Sequence, residues 1–246
     1  EPSLHPLDLG ADLCCDSAHK TLPVLTGGAY LHLSPAAPAR LAAMAKSALG
    51  LFGSTSPSYL TLASLDLCNR YLAEGYPQRL AETVGRLEGL REKLAAAGWQ
   101  VESSDLLRVT VAAPSEVTGQ KLARRLRRQG VECEYADRDF LVLMATPENT
   151  PEELARAVAA LGQCPGEANL PQLPLARGER ACSIRQAAFA PRETVDAAHS
   201  LGRICGLPTV GCPPAIPIAV SGERIAPEAL ALFEYYGISQ VEVLVE

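Results

Sequence analysis

No basic block runs through this chain. Its 22 Lys and Arg are outnumbered by 28 Asp and Glu, for a formal charge of −6. A nucleic-acid-binding face needs clustered positive charge. The densest cluster is Arg124, Arg125, Arg127 and Arg128, which helical spacing spreads round most of a helix, so it reads as a solvated face. Nucleic acid is therefore not an expected partner. No apolar stretch reaches the roughly 18 residues of a membrane span, and no signal-peptide pattern is present, so no membrane association is expected either. The eight Cys include no CxxC and no Cys/His metal spacing, so no metal is predicted. A disulfide scaffold is excluded too, because 246 residues with 48% apolar content are ample for an ordinary core. The thiols read as reduced and the compartment as cytoplasmic. Internal repeats and low-complexity segments are absent.

What is there is organised around Ser17-Ala18-His19-Lys20. This stretch closes the apolar run Ala11-Asp12-Leu13-Cys14-Cys15-Asp16. A short apolar run bounded by Pro and Gly reads as a strand buried on both faces. Cys14 and Cys15 inside it act as small hydrophobes. The polar cluster then lies just past the strand's carboxyl end, where open α/β sheets bind ligands. A lysine there can form a Schiff base when its surroundings keep the amine neutral. The Pro- and Gly-containing link after Lys20 is too short for a parallel crossover, which takes about a dozen residues. The next strand, 29–33, is therefore expected to pair antiparallel.

Further along, capping and periodicity predict more elements. A helix over 39–49 should stop at Gly50, and Ser56 with Pro57 should cap a helix over 60–72. Leu80, Val84, Leu87, Leu90 and Leu94 mark a long amphipathic helix over 77–97, stopped by Gly98. A β-α-β-β-α module follows: strand 107–111, helix 115–129, strand 131–135, strand 140–144, and a helix opened by the capping box Thr150-Pro151-Glu152-Glu153. Residues 164–175 read as a linker and 192–204 as helical, with His199 in a structural role. Residues 213–217 read as stiff and extended, 218–220 as a strand, 227–236 as a helix and 241–245 as a last strand. His5 reads as a surface loop residue.

The segment Asp16-Ser17-Ala18-His19-Lys20-Thr21-Leu22-Pro23 resembles the cofactor-attachment segment of the Orn/Lys/Arg decarboxylase family. Two further stretches resemble the same family in its own order. They are Ser54-Thr55-Ser56-Pro57-Ser58-Tyr59-Leu60 with Ala63-Ser64-Leu65-Asp66, and Pro213-Pro214-Ala215-Ile216-Pro217 with Gly222-Glu223-Arg224-Ile225. The resemblance implies an α/β fold. It implies the end of a PLP-dependent transferase (fold type I) large domain over 1–60 and connecting helices over 61–98. A smaller α+β domain would follow over 99–165, then a carboxy-terminal motif region over 166–246.

It further implies pyridoxal phosphate as cofactor, Lys20 as the Schiff-base lysine, and Ser17 and His19 reaching the cofactor phosphate. The implied activity is decarboxylation of a basic amino acid (lysine, arginine or ornithine), a reaction of polyamine metabolism. The implied assembly is a homodimer or higher homo-oligomer, with 54–60 at the interface near the partner's phosphate. Transamination, β-elimination and a non-catalytic fragment stand as alternatives. The chain opens on Glu1, and the family's ring-stacking, phosphate-binding and ring-pairing residues lie upstream of the attachment lysine. The resemblance therefore implies a fragment lacking the amino-terminal half of the site, with weak cofactor binding and no useful turnover by itself.

Overall fold

The computed structural model describes residues 4–102, 105–208 and 217–245. Leu13–Asp16 (β1) pairs antiparallel with Tyr30–Leu33 (β2), Cys14 opposite His32 and Asp16 opposite Tyr30. The antiparallel expectation holds. The link begins with a single 3-10 turn, Ala18–Lys20, and bends again at Gly27, whose φ of +92° suits glycine. Burial on both faces does not hold. Leu13 is 39% exposed and Cys15 is exposed. Among the described residues β1 and β2 form a sheet of two, so β1 has one neighbour and lacks the cover that a buried strand needs.

Ala39–Phe52 (α1) runs through Gly50, the predicted stop, and closes when the Gly53 amide donates to Leu49 O at 2.8 Å. An interior glycine costs a helix only about 1 kcal/mol, too little to end it alone. Tyr59–Ala73 (α2) is capped by Ser58, whose Oγ accepts from the Thr61 amide at 3.3 Å. Ser56, the predicted cap, instead donates its amide to Ser54 Oγ at 3.0 Å in the preceding turn. Tyr76–Ala96 (α3) buries Thr83, Leu87, Leu90 and Leu94, three- and four-residue steps that make one face, and it packs on α2. Gly98, with φ of +86°, ends it as expected.

A four-stranded sheet follows, ordered β3-β4-β6-β5. Its strands are Val101–Glu102 (β3), Arg108–Ala112 (β4), Tyr135–Ala136 (β5) and Phe140–Met144 (β6). Gly119–Arg127 (α4), capped by Thr118, lies between β4 and β5 in sequence, and Pro151–Leu161 (α5) follows β6. The predicted β-α-β-β-α order is present, with β3 added before it. Strand 131–135 shrinks to β5. The amides of Gln129, Gly130 and Val131 return to carbonyls of Leu126 and Arg127, so these residues still close α4. Pairing resumes only when the Glu134 amide reaches Val142 O at 2.9 Å. The capping box is complete: the Glu153 amide donates to Thr150 Oγ1 at 3.2 Å, and the Thr150 amide to Glu153 Oε2 at 2.9 Å.

The final segment corrects two expectations. Arg192–Asp196 (β7) is a strand, not the start of a helix, and the helix here is the shorter Ile184–Phe189 (α6) before it. β7 pairs with Gln240–Leu244 (β8), Val195 opposite Val241, and its β-branched Thr194 and Val195 suit a ladder. Residues 218–220 form no strand, because the Val220 amide bonds the Glu223 side chain at 3.2 Å rather than a neighbouring strand. Pro227–Tyr236 (α7) ends at Gly237, φ +70°, as predicted. Ala197, Cys205, Ile225, Phe233, Val241 and Val243 form the core here. Of the extended segment 213–217, residues 213–216 lie outside the described residues.

The chain divides into two compact units, and the division is not sequential. One holds residues 1–96, 103–109 and 144–159; the other holds 97–102, 110–143 and 160–246. Within the first, Arg91 Nη2 donates to Leu106 O at 3.1 Å and Arg108 O at 2.9 Å, and Tyr71 Oη donates to Glu148 Oε1 at 2.5 Å. Among the described residues no helix is long and apolar enough to cross a membrane.

Candidate active site

Three elements of the first unit build a cavity around Lys20. β1 ends at Asp16, and one residue later the chain enters the 3-10 turn. Ala18 is 3% exposed and anchors that turn, while Ser17 and Lys20 stay exposed. The Lys20 amide donates to Ser17 O at 3.1 Å. His19 clamps the turn to the far end of the loop, its amide and its Nδ1 both donating to Gly28 O, at 3.3 and 3.0 Å. A donating Nδ1 leaves Nε2 as the acceptor of a neutral ring. Gly28 makes the clamp possible, since a Cβ there would meet Val24 Cγ1 at 2.3 Å and Leu25 O at 3.2 Å.

The cavity has a volume of about 530 Å³, the size of a small-molecule site. Asp16, Ser17 and Lys20 line it from the β1 side, Tyr30 and His32 from β2, and Asn69 from α2. Among the described residues Lys20 Nζ has no hydrogen-bond or ion-pair partner. Tyr30 Oη donates to Leu65 O at 2.8 Å and ties β2 to α2, and burial pushes its phenol pKa up. Of the sequence-predicted site residues, Ser17 and Lys20 share the cavity wall. His19 does not line it and serves the loop. Ser54, Thr55 and Ser56 are exposed and do not line it either.

The strongest polar cluster beside Lys20 was not legible in the sequence. Asp16 Oδ1 accepts from Cys14 Sγ at 3.0 Å, while Oδ2 lies 3.1 Å from His5 Nε2 and 3.2 Å from His32 Nε2. The Cys14 hydrogen bond first, then that of His5, holds the Asp16 carboxyl below the usual carboxylate range. The same bond to Asp16, with burial second, pushes the Cys14 thiol up. His5 is thus more than a loop residue, and Cys14 is not a core hydrophobe. The one available signal was the two-residue spacing of Cys14 and Asp16, which puts both on one strand face. The register that sets His32 opposite Cys14 is a long-range fact.

Comparison with known proteins shows what the chain is similar to. Residues 9–123 match the model of the family described as Orn/Lys/Arg decarboxylase, major domain, and the relatives agree with it. The chain is similar to the Orn/Lys/Arg decarboxylases over these residues. It is 27% identical over 257 residues to an arginine decarboxylase of Bacillus subtilis, covering 94% of this chain and 51% of that protein. It is 28% identical over 255 residues to an arginine decarboxylase of Halalkalibacterium halodurans, covering 93% and 50%. An uncharacterized protein of Bacillus subtilis, YaaO, is 26% identical over 244 residues, covering 91% and 50%. The chain therefore spans about half the length of the curated relatives it matches.

Two solved structures share the fold. The lysine decarboxylase LdcF of Francisella novicida superposes with a TM-score of 0.74 at 15% identity, over 94% of this chain and 48% of that one. The constitutive lysine decarboxylase of E. coli gives 0.71 at 14%, over 95% and 49%. The mixed α/β fold of this chain is thus shared with about half of each of these two structures.

Proposed function

We propose that this protein takes part in pyridoxal-phosphate-dependent decarboxylation of a basic amino acid (lysine, arginine or ornithine), with Lys20 as the residue that attaches the cofactor. The observation that carries this reading is the place of Lys20. It is an unpartnered primary amine on the wall of a cavity of about 530 Å³, within the segment matching a decarboxylase major domain. The residues present fit such a group: an amine for its aldehyde, a hydroxyl from Ser17, and the apolar side chains Leu22 and Leu72 in the wall.

Pyridoxal phosphate, when bound, supplies the electron sink for loss of carbon dioxide. Lys20 would hold it through Nζ, which is also placed to hold and return a proton in this cavity. Ser17 Oγ offers a hydrogen bond to a phosphate in the same cavity. His19 holds the turn through Gly28 O, which fixes where Nζ can reach. Leu22 and Leu72 give the wall its apolar part. Assembly with a second copy is part of the proposal. It is supported by the exposure of four large apolar side chains, Leu51 and Phe52 on α1 and Tyr59 and Leu60 on α2, which an interface would cover. The seven free thiols among the described residues support a reducing compartment.

The test is product analysis, with lysine, arginine and ornithine, of the cofactor-loaded full-length protein that contains this chain and the other half of the site, comparing the wild type with Lys20→Ala. Amine product is expected from one of the three with wild type and none with the variant. Product that persists in Lys20→Ala would overturn the assignment.

A further inference from the structure

The cluster beneath Lys20 has a composition that hydrogen bonding alone does not demand. His5, Cys14 and Asp16 each offer one ligand atom, and these atoms all lie within 4.8 Å of one another. The three residues come from two places. Cys14 and Asp16 share one face of β1, and His5 reaches over from the preceding loop. His32, opposite Cys14 on β2, holds Asp16 Oδ2 from the other strand at 3.2 Å.

We infer that His5 Nε2, Cys14 Sγ and Asp16 form a binding site for a divalent cation of the borderline class, with zinc as the natural occupant. A thiolate, an imidazole and a carboxylate are together the donors that such ions select, and hard cations such as Mg²⁺ avoid sulfur. The spacing agrees. Ligand atoms about 2.0–2.3 Å from a tetrahedral ion stand roughly 3.3–3.6 Å apart. Here Asp16 Oδ1 is 3.0 Å from Cys14 Sγ and Oδ2 is 3.1 Å from His5 Nε2, a few tenths shorter, as hydrogen bonds are. The three ligand atoms all lie within 4.8 Å of one another, so the side chains adjust to bring one oxygen, the sulfur and the imidazole onto a common ion. The side chains of His5 and Asp16 are 38% and 41% exposed, so they can open by that amount and the ion can enter from solvent.

The protons balance. The Cys14 S–H bond breaks as the sulfur–metal bond forms, and that proton passes to water. The imidazole proton that Nε2 gives to Asp16 moves, through solvent, to Nδ1. The Leu7 amide contact to His5 Nδ1, a long one at 3.3 Å, is then given up. The fourth position is left for water or for a group from the adjoining cavity, an arrangement of open rather than closed sites. His32 stays on the carboxylate and orients it, as partners of metal-ligating groups do.

The inference does not rest on the decarboxylase reading, and its test uses no pyridoxal phosphate, so the two can fail separately. The chain, reduced and freed of metal, is titrated with Co²⁺ and then challenged with Zn²⁺. One equivalent should produce a thiolate-to-cobalt charge-transfer band with tetrahedral ligand-field bands, and Zn²⁺ should abolish both. Cys14→Ser should remove the charge-transfer band, and His5→Gln should weaken binding by more than about tenfold. Cys15→Ser, one residue away on the other strand face, should change neither. Circular dichroism checks that the variants fold, which the exposure of these side chains favours. No band at saturating Co²⁺, or a band that survives Cys14→Ser, would overturn the inference and leave the cluster a hydrogen-bonded carboxylate only.

Discussion

At the scale of single residues, Gly28 decides how well Lys20 is held. His19 ties Lys20's turn to the far end of the loop through the Gly28 carbonyl, and that carbonyl is where it is because no Cβ crowds Val24 and Leu25. Val24 is short and branched, so it cannot swing clear of a Cβ 2.3 Å away without moving the loop. Gly28→Ala is therefore expected to destabilise by about 1–3 kcal/mol. It should also weaken cofactor attachment at Lys20, because the clamp shifts with the loop. Urea unfolding checks the first effect and a cofactor titration the second. An unchanged midpoint would show that the loop has room the structure denies. The place of Lys20 just past a strand end was legible because its signal is local, four consecutive residues after a short apolar run. The Asp16 cluster was not, since His5 and His32 join it from eleven residues before and sixteen after.

At the scale of elements, the legible ones carry their own start and stop. α3 has a one-sided leucine face and Gly98; α5 has a reciprocal capping box; α7 has Pro227 at its first turn and Gly237 after its last. β7 has no such local signature. Its partner β8 lies more than forty residues on, and only that pairing makes Arg192–Asp196 a strand rather than a helix. The β7–β8 ribbon and α7 share the core around Phe233, which is 1% exposed. Phe233→Ala should cost about 3–5 kcal/mol by loss of burial and a cavity. Phe189→Ala, at a position 80% exposed on α6, should stay within about 0.5 kcal/mol. Thermal unfolding of both variants compares them directly. Equal effects would mean that this core does not carry the segment's stability.

At the scale of the whole molecule, the order of the modules was legible and their grouping was not. A strand-helix-strand-strand-helix run is visible in periodicity. That 103–109 and 144–159 belong with the first unit depends on tertiary contacts, such as Arg91 to the 105–108 backbone and Tyr71 to Glu148, which no local pattern announces. The claim that joins all three scales is that the first unit presents one lysine for covalent attachment. The chain has four lysines, Lys20, Lys46, Lys93 and Lys121, and Lys20 alone lies in the β1–β2 loop. The most direct measurement is to add pyridoxal phosphate, trap the adduct with borohydride, and map the label by peptide mass spectrometry. The first equivalent of label should fall on the peptide containing Lys20 and disappear in Lys20→Arg. Label spread over Lys46, Lys93 and Lys121, with none at Lys20, would contradict the assignment of this cavity as the cofactor site.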